Sequence, residues 1–418
     1  MKRLYWLTLI FPLALIGCSK TYNNPTEYKV EYITACALAG RILPTGISAT
    51  VTVTQGATVK AAACNAQGLY QIDSLSAGSC ILEVKASSYG TTRTTVTLIA
   101  GGINNIGDIT VQKLPYPVSG VSPAYNSEWN GLSTSIGISF SRQMDQASVE
   151  AAFHITPAIN GYFVWSNNYT YLNFRPLSYL ITDTAYTIRL DSTAHTVDNT
   201  NLEFSMVSSF RTEPFRVTQT SPATGTSGYG MQNTVYIYFT SYSNPNYTSV
   251  ENAIQITPAI PSGIDYTWNG YYVYLRPKSG YWKSNSQHTV IIPTTAQDNW
   301  GHYVFMPCTT VFYTQPAKVT YYQPANGQTG VSLNPNINFQ FNTMMDYTSL
   351  MSALTVRDTL DSVATIGSSN WYGYYGYFYF SPQLKPTMRY TVLLDSTAAD
   401  LYGSKMPLPV TFTFTTGN

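Results

Sequence analysis

Two short stretches of the sequence contain residue types that could act as a nucleophile, an acid and a base. The stretch RLDSTAHTVDN covers residues 189–199 and contains Asp191, Ser192 and His195. The stretch LLDSTAADLYG covers residues 393–403 and repeats the Asp-Ser-Thr core without the histidine. Serine, histidine and aspartate side chains form a nucleophilic triad when they are hydrogen bonded in series. The two stretches therefore raise the hypothesis of a hydrolase.

The same stretches occupy equivalent positions in an internal repeat, and this argues against catalysis. YTIRLDSTAHTVDN, HTVIIPTTAQDNW and YTVLLDSTAADLYG align so that His195 corresponds to Gln297 and Ala399. A catalytic group copied at a repeat period would not be expected to degrade in the middle copy. Short polar residues after a strand stabilise turns by bonding to nearby backbone N–H groups. We therefore predict turns that share one aspartate position, represented by Asp198, Asp298 and Asp400.

Other signatures of catalysis or cofactor binding are weak. The four histidines have no metal-binding spacing, and the sequence lacks a nucleophile elbow, a P-loop and a dinucleotide fingerprint. Paired carboxylates for glycoside hydrolysis have no such signature and stay an alternative. The net charge of +1 and the lack of a Lys/Arg run argue against a nucleic-acid partner. We predict a protein that is not an enzyme and has no cofactor or metal site.

Three units of about a hundred residues make up most of the chain. Each contains short Val/Ile/Thr/Phe-rich segments separated by turn residues, which is typical of tandem β-sandwiches. Landmark residues recur at spacings of 103 and 102, namely Trp165, Trp268 and Trp371, and Tyr186, His288 and Tyr390. The order of motifs, including Met144-Asp145 and Met345-Asp346, resembles the bacterial Ig-like domains typified by the S-layer protein SbsA. The resemblance implies Ig-like units at 114–214, 215–315 and 316–418.

Residues 33–113 have a different pattern of short strands. The segment CNAQGLYQIDSLSAGSCILEVKASSYG resembles carboxypeptidase-regulatory-like domains, a prealbumin-like β-sandwich family, with Gly68, Tyr70 and Gly78 at motif positions. Asn65 stands where that family usually has Asp. The sequence therefore predicts an all-β protein with four tandem β-sandwiches, one prealbumin-like and three Ig-like.

The first 32 residues predict export. Lys2 and Arg3 precede an apolar stretch at 4–16, which is shorter than the roughly 20 residues of a membrane span. The ending Leu-Ile-Gly-Cys18 resembles the lipobox of bacterial lipoproteins, which implies a signal peptide at 1–17, lipidation of Cys18 and a tether at 18–32. An ordinary secretory signal is the alternative. Ser19 resembles an outer-membrane sorting signal, so we expect a lipid-anchored outer-membrane protein that faces the periplasm or the exterior.

Export to an oxidising compartment changes how the remaining cysteines are interpreted. Cys36, Cys64 and Cys80 lie in one segment and allow three pairings of a single disulfide. Buried free thiols are the alternative, and the spacing does not indicate zinc.

The spacing of the tyrosines indicates an aromatic surface on the outward side of the sheets. With the units aligned on Pro176, Pro277 and Pro382, period-2 alternation places aliphatic and Phe side chains inside and tyrosines outside. The structural interpretation is that these tyrosines form cross-strand pairs, which stabilise the sheet by roughly 0.2–1 kcal/mol per pair. The functional interpretation is that they form a binding surface for sugars or for another protein. The predicted outward set is Tyr171, Tyr272, Tyr274, Tyr377 and Tyr379.

Together these features predict a non-catalytic cell-envelope protein. Acyl chains on Cys18 would bind the membrane, and the Ig-like array would act as a spacer and as a surface for adhesion or for assembly with envelope proteins. The alternative function is a carbohydrate-binding accessory lipoprotein that binds polysaccharide through the tyrosine faces. A hydrolase is a third and more distant class.

Overall fold

The computed structural model describes residues 35–418. The predicted signal peptide and Cys18 lie outside these residues. The described part of the chain contains 31 β-strands and three α-helices of seven residues each. The strands form a first domain and three repeat units, which we call units 1, 2 and 3, and each of the four is a β-sandwich. The prediction of an all-β fold is confirmed. Among residues 35–418, no helix is long and apolar enough to cross a membrane.

The first domain packs a three-stranded sheet against a four-stranded sheet. Alternate residues of each strand enter the core, as Cys80, Leu82 and Val84 do, and these pack with Leu38 and Ile42 from the other sheet. The first sheet has the order β4 (Leu69–Ser76), β1 (Ala35–Leu43), β7 (Ile103–Thr110), with β1 and β7 parallel. The second has the antiparallel order β3 (Thr58–Ala63), β2 (Ala49–Gln55), β5 (Gly78–Ala86), β6 (Thr92–Leu98).

Unit 1 has two four-stranded sheets. The first, which we call its front sheet, has the order β12 (Gly161–Ser166), β13 (Tyr171–Pro176), β10 (Ile136–Phe140), β8 (Val118–Ser122). The back sheet has the order β11 (Phe153–Thr156), β14 (Ala185–Leu190), β15 (Met206–Thr212), β9 (Ser127–Asn130), with β9 parallel to β15. Helix α1 (Gln146–Ala152) lies between β10 and β11 in the chain.

Units 2 and 3 repeat this topology. In unit 2 the front sheet is β16 (Val217–Ser221), β18 (Val235–Phe239), β21 (Tyr272–Pro277), β20 (Ile264–Asn269), and the back sheet is β17 (Thr226–Tyr229), β23 (Cys308–Thr314), β22 (Gln287–Ile292), β19 (Gln255–Thr257), with helix α2 (Tyr247–Ala253). In unit 3 the front sheet is β24 (Val319–Gln323), β26 (Asn336–Phe341), β29 (Tyr375–Phe380), β28 (Ile366–Trp371), and the back sheet is β25 (Gln328–Val331), β31 (Val410–Thr416), β30 (Arg389–Leu394), β27 (Leu354–Asp358), with helix α3 (Tyr347–Ala353).

The short helix in each unit was not expected from the sequence, whose pattern of short strands and turns predicts an all-β protein. Seven residues make only about two turns, too few to show a helical period. The helix is fixed instead by its N-cap, because the side chain of the preceding residue accepts a hydrogen bond from the backbone N–H of the helical serine. The caps are Asp145, Asn246 and Asp346, with N···O distances of 2.8, 3.0 and 2.7 Å. The Met-Asp signature of units 1 and 3 therefore contains a cap, and unit 2 keeps the cap as asparagine.

One buried position of the core differs chemically among the units. Tyr186 and Tyr390 accept a backbone N–H at 3.1 and 2.9 Å, whereas His288 Nε2 lies 3.1 Å from the carbonyl oxygen of Lys283. The His288 ring is fully buried and stacks on Phe312 with centroids 5.2 Å apart. Burial lowers the pKa of His288, so the imidazole is neutral with its proton on Nε2.

Candidate functional site

The residues of the catalytic hypothesis do not form a triad in the structure. Asp191 Oδ2 lies 3.1 Å from His154 Nε2, and Asp191 Oδ1 accepts a hydrogen bond from Arg189 Nε at 2.5 Å. His195 Nδ1 lies 3.0 Å from a backbone carbonyl oxygen, and Ser192 makes its hydrogen bond through its backbone N–H. Asp191, Ser192 and His195 are therefore engaged with separate partners.

The repeated stretch connects the turn after β14, β22 or β30 to the helix of the same unit. One backbone N–H in each stretch donates a hydrogen bond to the hydroxyl of the helical serine three positions after the cap. The N···O distances are 3.1, 3.1 and 2.8 Å in units 1, 2 and 3. The donors are His195, Gln297 and Ala399, and the acceptors are Ser148, Ser249 and Ser349. These contacts give the stretch a structural role in each unit.

The turns of units 2 and 3 share an aspartate position, but unit 1 has a threonine there. Asp298 Oδ1 accepts two backbone N–H groups of its own turn, both at 2.9 Å, and Asp400 Oδ1 does the same at 2.9 and 2.8 Å. In unit 1 the equivalent residue is Thr196, whose hydroxyl accepts the N–H of Thr200 at 3.0 Å. Asp198 lies two residues further on with an exposed side chain. The predicted shared position of Asp198 is wrong, because the equivalent backbone bond of the turn is made by Thr196 in unit 1 and by Asp298 and Asp400 in units 2 and 3.

The second carboxylate oxygen of these aspartates reaches the preceding unit. Asp400 Oδ2 accepts the backbone N–H of Ser284 in unit 2 at 3.0 Å. Asp298 Oδ2 accepts the hydroxyl of Thr182 in unit 1, and His302 Nδ1 lies 3.0 Å from the same hydroxyl. Thr182 and Ser284 are separated from their aspartates by the same 116 residues. One carboxylate therefore stabilises its own turn and binds the neighbouring unit, at both junctions.

These junction carboxylates are deeply buried. Asp298 and Asp400 are each 1% exposed, and Thr182 and Ser284 are fully covered. A buried carboxylate is stable only when hydrogen bonds replace its lost hydration. Because part of that replacement comes from the preceding unit, separating the units would expose or orphan these groups.

Other contacts extend each junction. Tyr402 of unit 3 donates its hydroxyl to the carbonyl oxygen of Tyr281 of unit 2 at 2.9 Å. Trp129 of unit 1 meets Phe305 of unit 2 edge to face with centroids 5.3 Å apart, and the Arg216 guanidinium lies 5.3 Å from the Trp129 ring centroid. The first domain also contacts unit 1, where Lys113 Nζ lies 3.6 Å from Glu203 Oε1. Each domain of the described chain therefore contacts the next.

The predicted tyrosines lie on the outward side of the front sheets. In β13, β21 and β29, the core residues alternate with half-buried outward residues. The predicted outward set is found there complete, as Tyr171, Tyr272, Tyr274, Tyr377 and Tyr379. Their binding role stays a prediction. Tyr236 and Tyr238 of β18 lie on the same side and were not among the predicted residues, although β18 alternates in the same way.

The front sheet of unit 2 has a cluster of four tyrosines. The strand register sets Tyr236 opposite Tyr274 and Tyr238 opposite Tyr272. Their ring centroids are 5.2 and 5.1 Å apart. Asn269 Nδ2 donates to the Tyr272 hydroxyl at 2.8 Å. A hydrogen bond with Tyr274 raises the pKa of Tyr272, so this hydroxyl is uncharged at neutral pH.

The cluster continues beyond the sheet into unit 1. Tyr272 contacts Tyr271 in the β20–β21 turn, with centroids 5.9 Å apart, and Tyr271 contacts Tyr242 at 5.7 Å. Tyr242 stacks on Tyr179 of unit 1, with centroids 4.1 Å apart and ring planes 15° from parallel. Tyrosine rings therefore form a continuous series across the junction between units 1 and 2.

The front sheet of unit 3 combines tyrosines with amides. The strand register sets Tyr375, Tyr377 and Tyr379 of β29 opposite three amide residues of β26, namely Gln340, Asn338 and Asn336. The four strands of this sheet contain no charged residue. The outward side therefore offers aromatic rings, hydroxyls and amides without a formal charge.

The repeated tryptophans are bound into the units. Trp165 Nε1 donates to Glu150 at 2.9 Å and Trp268 Nε1 donates to Glu251 at 2.8 Å, so each ring is fixed to the helix of its unit. Trp165, Trp268 and Trp371 all pack against the core. The sequence indicated core landmarks at these positions, and the packing agrees.

Within residues 35–418, the four cysteines Cys36, Cys64, Cys80 and Cys308 are free thiols. Cys36 and Cys80 are buried in the core of the first domain, and Cys64 packs partly buried against it. The disulfide expected among these three residues stays a prediction. Burial raises the pKa of Cys80 and of Cys308 in unit 2, so both thiols are protonated at neutral pH. Within residues 35–418, no group of three or more His, Cys, Asp or Glu residues could hold a metal ion.

Comparison with known families identifies the repeat units. Residues 112–212, 211–314 and 313–416 each match the model of the bacterial Ig-like domain. The chain belongs to the bacterial Ig-like domain family, and the prediction of three tandem copies is confirmed. The first domain lies outside these matches, so its resemblance to carboxypeptidase-regulatory-like domains stays a prediction. No curated protein matches the chain.

Several solved structures are similar in part. An L,D-transpeptidase from Mycobacterium smegmatis is 16% identical, over 35% of this chain and 66% of that chain, with a TM-score of 0.20. Sidekick-1 immunoglobulin domains 1–5 are 8% identical, over 88% and 92% of the two chains, with a TM-score of 0.25. The surface layer protein SbsC, domains 1–6, is 7% identical, over 71% and 54%, with a TM-score of 0.19. The chain thus spans less than two thirds of the transpeptidase, and these low scores carry no argument about function.

Proposed function

We propose that this protein is a lipid-anchored, non-catalytic protein of the bacterial cell envelope, in which the Ig-like units form a spacer with a surface for adhesion or assembly. The repeated junction is the observation that carries this proposal. At both junctions between Ig-like units, a buried aspartate accepts a hydrogen bond from the preceding unit. A repeated polar junction of this kind limits bending between units, as a spacer requires.

The geometry of the junction favours a fixed connection over a loose one. Flexible linkers leave neighbouring domains free to rotate unless an interface holds them. Here Asp400 is 1% exposed and contacts both its own turn and unit 2. Rotation at the junction would break the contact to Ser284 and uncover a charge whose hydrogen bonds are directional.

The membrane end of the proposal depends on Cys18. A lipobox cysteine is acylated, and each buried CH₂ of an acyl chain contributes about 0.8 kcal/mol to membrane binding. Two or more chains would hold the protein stably, with the Ig-like units projecting away from the membrane. The family supports a location at the bacterial surface, and the outer membrane is our proposed site.

Membrane fractionation tests the anchor. The variant Cys18→Ala should appear in the soluble fraction, because acylation requires the thiol. Cys308→Ala is a matched control, since this thiol lies in unit 2 and should not affect membrane binding. Retention of Cys18→Ala in the membrane at the level of the unaltered protein would contradict the lipid anchor.

A carbohydrate-binding accessory protein is the second candidate function. The observation that favours it is the outward series of tyrosines, which lies beside amide side chains in units 2 and 3. Tyrosine presents a large apolar ring and a hydroxyl at a low cost in conformational entropy. Both functions are compatible, because a spacer can carry a binding surface.

A further inference from the structure

We propose that an extended, uncharged polysaccharide binds along a tyrosine track that crosses the junction between units 1 and 2. This track consists of Tyr179, Tyr242, Tyr271, Tyr272, Tyr238 and Tyr274. The inference rests on the second candidate function and specifies its site, its ligand class and the cooperation of two units.

Continuity is the first argument for the track. Successive ring centroids from Tyr179 to Tyr274 are separated by 4.1, 5.7, 5.9 and 5.6 Å. Tyr238 extends the track sideways, 5.1 Å from Tyr272. Cross-strand pairing explains contacts within the sheet. It does not explain the stacking of Tyr242 on a ring of another unit, which lengthens the surface beyond one sandwich.

Exposure is the second argument. Tyr179 is 52% exposed and Tyr242 is 41% exposed, although the two rings are stacked. The sheet tyrosines are half-buried, with one edge in contact with their neighbours. Each ring therefore keeps part of its surface available to a ligand. The ring edges are fixed by neighbours, so little rotamer entropy would be lost on binding.

Charge is the third argument, and it selects a neutral ligand. The strands β16 and β18 contain no charged residue. The front sheet of unit 2 has one carboxylate and one guanidinium, Asp265 and Arg276, and these are paired opposite each other in the ladder. This sheet has no net charge with which an acidic or basic polymer could pair. A neutral polymer needs no such pairing, so the lack of net charge does not weaken its binding.

The chemistry of the surface matches a sugar polymer. The C–H groups on one side of a pyranose ring pack on an aromatic face, while its hydroxyls need hydrogen-bond partners nearby. Asn269 lies beside Tyr272, at 2.8 Å from its hydroxyl. The hydroxyls of the track are themselves donors and acceptors. Along the track, apolar ring surfaces therefore alternate with hydroxyl and amide groups, at the spacing of neighbouring side chains.

A protein partner or a second copy fits this surface less well. Protein interfaces use aliphatic and aromatic anchors in pockets, with arginine enriched. The large aliphatic side chains that are exposed, such as Leu177, Val207 and Leu401, do not belong to the unit 2 front-sheet strands. The tyrosines of that sheet therefore have no exposed aliphatic anchor among them, and Leu177, beside Tyr179, is a single exposed aliphatic side chain at the unit 1 end of the track.

Affinity gel electrophoresis tests the proposal with the full-length chain in a detergent without a sugar head group. The probes are dextran, galactomannan, xyloglucan and mixed-linkage glucan as neutral polymers, and alginate as a charged one. We expect at least one neutral polymer to retard the chain, with alginate at least about tenfold weaker. The double variant Tyr272→Ala/Tyr274→Ala should bind about tenfold more weakly, since it removes two central rings.

Tyr313→Ala is the matched control, because Tyr313 is an exposed outward residue of β23 on the back sheet of the same unit. Its binding should stay within about twofold of the unaltered chain. If the double variant loses its thermal transition, Tyr242→Ala replaces it, since this ring is outside the strands. Tyr242→Ala should weaken a long polymer and leave a short oligosaccharide of the same sugar nearly unchanged.

Three results would overturn the proposal. They are a failure of every neutral polymer to bind, unchanged binding by both the double variant and Tyr242→Ala, or equal binding of alginate. Sedimentation that shows a dimer lost in the double variant would assign the track to self-association instead. Failure of the anchor is separate, because it is read from membrane retention of Cys18→Ala and not from polymer binding.

Discussion

Substitutions of Asp400 can distinguish its hydrogen bonds within the turn of unit 3 from its contact with unit 2. Its Oδ1 accepts the backbone N–H groups of Tyr402 and Ser404, at 2.9 and 2.8 Å, and its Oδ2 accepts the N–H of Ser284 in unit 2 at 3.0 Å. Asp400→Ala removes both carboxylate oxygens and with them all three hydrogen bonds. Asp400→Asn can keep the turn bonds with its amide oxygen but directs an N–H₂ group at the N–H of Ser284, so only the junction contact is lost.

The expected magnitudes follow from the number of bonds removed. A hydrogen bond to a charged group contributes about 1.5–3 kcal/mol, and a buried donor left without a partner costs about 1–3 kcal/mol. Asp400→Asn should therefore weaken the junction by roughly 1–3 kcal/mol. Asp400→Ala should in addition destabilise unit 3, by roughly 2–6 kcal/mol, because two turn N–H groups lose their acceptor.

Hydrogen–deuterium exchange resolves the two effects by residue. In Asp400→Asn, the amide of Ser284 should exchange about 10–100 times faster, while the amides of Tyr402 and Ser404 change little. In Asp400→Ala all three should exchange faster. Asp198→Asn is the control, since that exposed carboxylate contacts Thr196 and Arg142 of its own unit, so the exchange of Ser284 should not change. Unchanged exchange at Ser284 in both Asp400 variants would refute the junction as described.

Two further predictions concern the interior of the units. Because burial lowers the folded-state pKa of His288 below its unfolded value of about 6.5, the unfolded chain binds the proton first as the pH falls. Unit 2 should therefore lose stability as the pH falls from about 7 to about 5. His288→Tyr, which introduces the residue of units 1 and 3, should remove this pH dependence in calorimetric scans. An equal pH dependence in the variant would contradict this explanation. At the helix cap, Asp145→Ala should destabilise unit 1 by about 0.5–2 kcal/mol in urea unfolding, whereas Asp145→Asn should be nearly neutral, since Asn246 caps the same helix in unit 2. A large loss in the asparagine variant would show that the charge, and not the cap geometry, is needed.

The repeat could be predicted because its signals are local. Alternation of Tyr272 and Tyr274 with Val273 and Leu275 follows from the period of two in a strand, which holds whatever sheet the strand joins. The helices could not be predicted in this way, since seven residues are too few for a periodic signal. The cap residues of units 1 and 3 are the aspartates of the Met-Asp signature. Their capping role became clear only from the hydrogen bond that each accepts from the serine three positions later.

The sequence by itself determined the β-sandwich class, the three Ig-like units and the side of the sheet on which the tyrosines lie. These depend on residues close together in the chain, whose spacing fixes their direction. Only the tertiary structure decided that Asp298 and Asp400 join neighbouring units, and that Tyr179 and Tyr242 stack across a junction. Such contacts depend on how one unit is placed against the next, because the partners are distant in sequence and no local pattern specifies their distance in space. The tertiary contacts therefore join three similar units into one array, and they extend the series of tyrosines from unit 2 into unit 1.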